Sequence, residues 1–148
     1  MATVEVAFTP LPAHVRTARL VATAVARRSG VDESLLDEVR LAVGEACSRA
    51  VEAHRKHCPA EPVRVSLTDE GERFEVVVTD AAPADPSATA DGTTAGPVSG
   101  VAANGTVQQL PPGVGLAVIA GLADDVRIEP ADPGTSIAMS WKRVRPGA

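Results

Sequence analysis

The sequence predicts an α+β domain of two layers, a mixed and mostly antiparallel sheet with helices packed on one face. Three observations lead there. The elements read β-α-α-β-β, then a long segment of small residues, then α-β-β. The strands arrive in adjacent pairs instead of alternating with helices, which argues against a doubly wound parallel sheet. Apolar residues recur at a period of two in the short runs and at helical spacing in the long ones. The length of 148 residues fits a single domain, 1–148, and no internal repeat divides it.

The first strand is Thr3-Val4-Glu5-Val6-Ala7-Phe8, alternating apolar and polar, and Pro10 and Pro12 stop it. From His14 to Arg28 the apolar positions Val15, Ala18, Leu20-Val21 and Ala24-Val25 form a helical stripe, with Gly30 as its stop. Asp32 is placed to cap a second, longer helix, and Glu33 puts negative charge at its N-terminus, where the helix dipole favours it. Leu35-Leu36, Val39, Ala42-Val43, Ala46-Cys47, Ala50-Val51 and His54 make one wide stripe along that helix, which ends before Pro59. Val63–Leu67 and Phe74–Thr79 are β-branched runs joined by Asp69-Glu70-Gly71-Glu72, the pattern of an antiparallel hairpin.

Residues 81–112 are mostly Ala, Gly, Pro, Ser, Thr and Asp, with few large apolar side chains to offset the entropy of ordering. A stretch of that kind inside a compact domain is expected to be a flexible lid or a disordered insertion. Gly113-Val114-Gly115-Leu116 then opens a further helix, and Val126–Glu129 and Ser136–Trp141 read as closing strands. Residues 142–148 read as a frayed tail.

Composition narrows the function. The chain is 45% apolar and 22% charged, ordinary for one buried core, yet only 2% aromatic, so the core must be built from Val, Leu, Ile and Ala. Few aromatics leave little for bases to stack on, and a net charge of −5 attracts neither nucleic acid nor anionic lipid. Cys47 and Cys58 lack zinc-site spacing and form no disulfide framework; Cys47 lies on an apolar stripe and reads as core packing. His14, His54 and His57 show no ligand-like spacing and read as solvated or core-edge residues. With no signal-peptide pattern and no uncharged run long enough to cross a bilayer, the expected address is cytoplasmic.

Three features carry candidate chemistry, and each has a plain structural alternative. Glycines in GVGL let a backbone approach a ligand, and the helix N-terminus offers N–H groups to an anion; a tight turn would use the same residues. Glu45 stands on the polar edge of the second helix and is a candidate general base. Equally, it can sit on a solvated face, paired with Arg49 in the favourable i,i+4 order. Asp80 closes the Phe74–Thr79 strand, either as a turn former or as acceptor for a buried amine such as the exocyclic nitrogen of adenine.

Taken together, LDEVRLAVGEACSRAV, Asp80 at its strand end and GVGLAVIAGLADDV resemble the anti-sigma-factor serine kinases of bacterial partner-switching systems. These belong to the wider ATP-binding fold shared by histidine kinases, gyrase-type ATPases and Hsp90, and the resemblance runs from Val4 to Trp141. It implies that Glu45 is the catalytic base, that Asp80 meets the adenine amine, and that Gly113, Gly115 and Leu116 lie on the phosphate side. It also implies ATP as cofactor, a sigma factor and an anti-anti-sigma protein of the STAS type as partners, and a homodimer.

The chain departs from the pattern at three places. The family's Mg²⁺-binding Asn falls on Arg49, and the glycines expected after Asp80 are absent from Ala81-Ala82-Pro83-Ala84. The family His falls on Ala53, one position before His54. Arginine offers no lone pair and repels a cation, but it binds phosphate well; it can also lock onto Glu45 and lower its pKa. Phosphoryl transfer rests on metal-assisted charge neutralisation. The expected function is therefore an ATP-binding anti-sigma regulator with weak or lost kinase activity. The alternatives are an active serine-protein kinase and a nucleotide-free interaction module.

Overall fold

The computed structural model describes residues 2–83, 114–131 and 133–143. Strand β1 (Ala2–Phe8) leads into helix α1 (Pro12–Ser29), which starts two residues earlier than the apolar stripe suggests. Pro12 occupies the first helical turn, where a missing N–H costs nothing. Gly30, at φ 97°, ends the helix in the left-handed region; its N–H reaches Arg27 O and the N–H of Val31 reaches Ala26 O.

A short 3₁₀ turn, Glu33–Leu35, precedes helix α2 (Leu36–His57). Here the expected side-chain cap is corrected. The Asp32 carboxylate makes no bond to the helix backbone and takes the Ser34 hydroxyl instead, while the Asp32 carbonyl accepts the Leu35 N–H at 2.9 Å. The tighter first turn changes which backbone groups lie within reach.

Strands β2 (Val63–Glu70) and β3 (Arg73–Asp80) form the expected hairpin, longer at the turn than anticipated, with Gly71-Glu72 alone between them. Helix α3 (Val114–Leu122) and strands β4 (Asp125–Pro130) and β5 (Thr135–Lys142) follow. The five strands are ordered β1-β2-β3-β5-β4, and every neighbouring pair is antiparallel. The sheet is thus antiparallel throughout, in keeping with the mostly antiparallel sheet anticipated. Strands β3 and β4, joined through α3, do run in the same direction, but β5 lies between them.

Alternation along the strands fixes the two layers. Val65, Leu67, Phe74, Val76, Val78, Ile137, Met139 and Trp141 are buried on the helix side, while Glu75, Val77, Thr79, Ser136 and Ala138 fall on the other face. Small residues of α1 (Ala18, Ala22, Ala26) and α2 (Ala42, Ala46, Ala50) let the helices lie close to one another and to the sheet. The few aromatics sit where bulk is needed: the rings of Phe74 and Trp141 lie 6.4 Å apart, both fully buried. Burial of Phe74 alone contributes about 1.5–3 kcal/mol. Trp141 donates its indole N–H to Leu122 O at 3.0 Å, tying the end of α3 to β5.

The tail expected at 142–148 is corrected at its start. Lys142 belongs to β5, and Arg143 bridges Val31, donating from Nε to Ser29 O at 2.6 Å and from Nη1 to Gly71 O at 2.6 Å. Residues 144–148 lie outside the described residues, as does 84–112 of the expected lid. Among the described residues no helix is long and apolar enough to cross a membrane.

Candidate functional site

Glu45 and Arg49 stand one turn apart on α2, and the two side chains part company. Glu45 turns toward the first turn of α3. A Cβ added to Gly115 would lie 2.9 Å from Glu45 Oε2 and 3.4 Å from Cγ, so the carboxylate rests on α3 only because position 115 has no side chain. Burial in this contact pushes the Glu45 carboxyl above its usual range.

Arg49 turns the other way, toward the end of β3, and its Nη1 lies 3.5 Å from Asp80 Oδ2. The expected Glu45–Arg49 pair is therefore corrected: Asp80, not Glu45, is the ion-pair partner that Arg49 has among the described residues. The expected lowering of the Glu45 pKa falls with it. An exposed i,i+4 pair is worth only a few tenths of a kcal/mol, and a carboxylate withdrawn from water is the stronger attractor.

Asp80 is 5% exposed, and its position is fixed from three sides. Its Oδ1 accepts the Ala82 N–H at 3.1 Å, the short turn anticipated for an acid at a strand end. The fully buried His54 accepts the Ala81 N–H at Nε2, 2.8 Å away, and so must carry its proton on Nδ1, which donates to Glu61 O at 2.8 Å. Behind the strand lies Gly134, at φ 106°. A Cβ there would overlap the Asp80 carbonyl oxygen and lie 2.9 Å from Ala81 Cα.

Of the residues singled out from sequence, Glu45, Arg49, Asp80, Gly115 and Leu116 fall among the described residues; Gly113 lies outside them. Leu116 is half-buried and packs on the core, which leaves its backbone as the part to face a ligand. Two residues that position the site were not anticipated. His54 was read as part of an apolar stripe and as a solvated or core-edge histidine, one position after the family's His, with no role assigned to it. Gly134 ends Asp132-Pro133-Gly134, a turn signature that could have marked it.

Two cavities lie elsewhere. One of about 410 Å³ opens on the sheet face away from the helices, beside Glu5, Arg64, Ser66 and Thr79. Another of about 280 Å³ lies between α1 and α2 beside Arg19, Ser48 and Glu52. Neither brings together an acid, a helix start and a close-approach glycine, as Glu45 and Gly115 do.

The donor chemistry suits a nucleotide better than a metal ion. Gly115 brings the backbone of a helix start beside the acidic edge of α2, and Asp80 offers a near-buried acceptor of the kind that selects an amine. Arg49 is a poor substitute for a cation ligand: its guanidinium, 3.5 Å from Asp80 Oδ2, offers no lone pair and sets a positive charge beside that carboxylate.

Fold and site define an α+β sandwich in which an acid-bearing helix, a strand end and a glycine-led helix converge. The histidine kinase-like ATPase domain matches residues 8–141, and the chain belongs to that family of nucleotide-site domains. Among solved structures, sixteen chains match. One is described as the RsbU and RsbW domains of Rv1364c from Mycobacterium tuberculosis, similar at a TM-score of 0.65 and 17% identity. The match covers 99% of this chain and 34% of that one, so this chain spans about a third of its neighbour's length. No curated relative matches.

Proposed function

We propose that the protein is an ATP-binding anti-sigma regulatory factor that works by partner switching, with phosphoryl transfer weak or lost. The observation that carries this reading is Arg49, directed at Asp80 from the position where the resembled kinases hold their Mg²⁺-binding Asn. Phosphoryl transfer relies on metal-assisted neutralisation of developing charge, whereas nucleotide affinity draws also on backbone N–H groups and the adenine acceptor. Loss of the metal ligand therefore removes catalysis first. The RsbW domain named in the structural neighbour supports the regulatory setting.

In this reading Asp80 receives the adenine amine, the start of α3 from Gly113 to Leu116 faces the phosphates, and the outer surface engages in turn a sigma factor and an anti-anti-sigma partner. The protein works in the cytoplasm as a homodimer. Edge strand β1 and helix α1 are the contact candidates, since among the described residues β1 presents one unpaired side.

The experiment is a transfer assay. The protein is captured from its native cytosol with its partners and supplied with γ-labelled ATP. Partner capture that responds to ATP, without label on any partner serine, is the expected result; efficient labelling overturns the loss of kinase activity.

One observation favours the second reading, an active serine-protein kinase. Glu45 is not held by Arg49, and burial raises its pKa in the direction a general base needs. That reading requires Glu45→Gln to abolish labelling while leaving partner binding intact. The third, a nucleotide-free interaction module, draws on the same Arg49–Asp80 contact taken as a permanent plug, and it requires that ATP have no effect on partner capture.

A further inference from the structure

The Arg49–Asp80 contact is poorly suited to permanence. At 3.5 Å it is longer than the roughly 2.7–2.9 Å of a good charge-assisted hydrogen bond, and it rests on a single nitrogen–oxygen approach. The two partners are also unequal. The Asp80 side chain is 6% exposed and held by the Ala82 N–H, whereas that of Arg49 is 37% exposed at the end of a flexible stem. Asp80 is the fixed member and Arg49 the mobile one.

Asp80 would be left with an uncompensated buried charge if Arg49 simply departed. A ligand that brings both a hydrogen-bond donor and a dense negative charge removes that cost. The donor replaces the guanidinium at Oδ2, and the anion receives the guanidinium. A nucleoside polyphosphate carries both at its opposite ends. The guanidinium also suits phosphate oxygens, which it can bind through two parallel N–H groups.

Resting on the nucleotide reading above, we propose that Arg49 takes the place of the divalent ion. It leaves Asp80 when the nucleotide enters and neutralises the polyphosphate directly, so that binding is independent of metal. Arg49 is then a specificity-determining residue. It selects the free polyphosphate over its Mg²⁺ complex, because the complex arrives with part of its charge already neutralised and brings a cation against a cation.

The test is calorimetric titration of the full chain with ATP, in EDTA and in excess Mg²⁺, for the wild type, Arg49→Asn and Arg49→Lys. Wild-type affinity in EDTA equals or exceeds that in Mg²⁺. In Arg49→Asn, affinity in EDTA falls by about tenfold or more, as expected for a lost charge-assisted contact, and Mg²⁺ restores part of it. Arg49→Lys keeps the charge without the fork, and so stays metal-independent with weaker binding. Wild-type binding that strengthens about tenfold with Mg²⁺, or an Arg49→Asn variant that matches the wild type in EDTA, overturns the inference and leaves the nucleotide reading standing. Absence of ATP binding in both media overturns the two together.

Discussion

Glu45 and Asp80, the two carboxylates of the candidate site, are held by different means, the first by burial against Gly115 and the second by Arg49 and the Ala82 N–H. The difference has a measurable consequence for Glu45. Because its folded pKa lies above its unfolded value, the ionised side chain costs stability at neutral pH, and that cost vanishes as pH falls below the unfolded pKa. Glu45→Gln is therefore expected to raise Tm at neutral pH, with the gain shrinking as pH falls through the carboxylate range; a pH series of thermal melts checks it. Both acids were legible in the sequence from their places on a helix edge and a strand end. The partner of Arg49 was not. Spacing along one helix names Glu45, whereas Asp80 is brought in by a strand distant in sequence. His54 was hidden for a similar reason: its partners, Glu61 O and the Ala81 N–H, are backbone groups that no side-chain pattern marks.

At the scale of elements, the hairpins and helices followed from periodicity, and their ends did not. Asp32 announced a side-chain cap, but a 3₁₀ turn came first. Pro12, which read as a strand stop, is also a helix start, because one residue can end an element by lacking an N–H and begin the next for the same reason. The turn between β4 and β5 matters most for the site, since Gly134 backs onto the Asp80 carbonyl. Gly134→Ala combines a forbidden contact with a left-handed φ, and is expected to cost more than Gly71→Ala. At Gly71, φ is 61° and nothing lies within 4 Å of an added Cβ, so only the backbone penalty of about 1 kcal/mol applies. Urea unfolding of the two variants compares them directly, and only Gly134→Ala is expected to weaken ATP binding, by shifting Asp80.

For the whole molecule, the two-layer architecture was readable because strands came in pairs and each buried one face. The same pairing made a mostly antiparallel sheet readable; the insertion of β5 between β3 and β4 was not, since it is a matter of topology that no local pattern encodes. The two cysteines report on how this core opens. Burial pushes the Cys47 thiol up to about 12, against a smaller opposing effect of the Arg19 guanidinium, while the Cys58 thiol is raised by burial and by the nearby Glu61 and Asp80 charges. A thiol reagent is expected to label Cys58 in the native protein and Cys47 only through unfolding, so that the Cys47 rate follows global stability in a denaturant series. The central claim is that this core carries a nucleotide site at Asp80 and the start of α3, and thermal melting with ATP tests it most directly. A ligand that binds only the folded state raises Tm with its concentration. The account predicts a rise with ATP that persists in EDTA and is largely removed by Asp80→Asn; a Tm that ATP leaves unchanged at every concentration would contradict it.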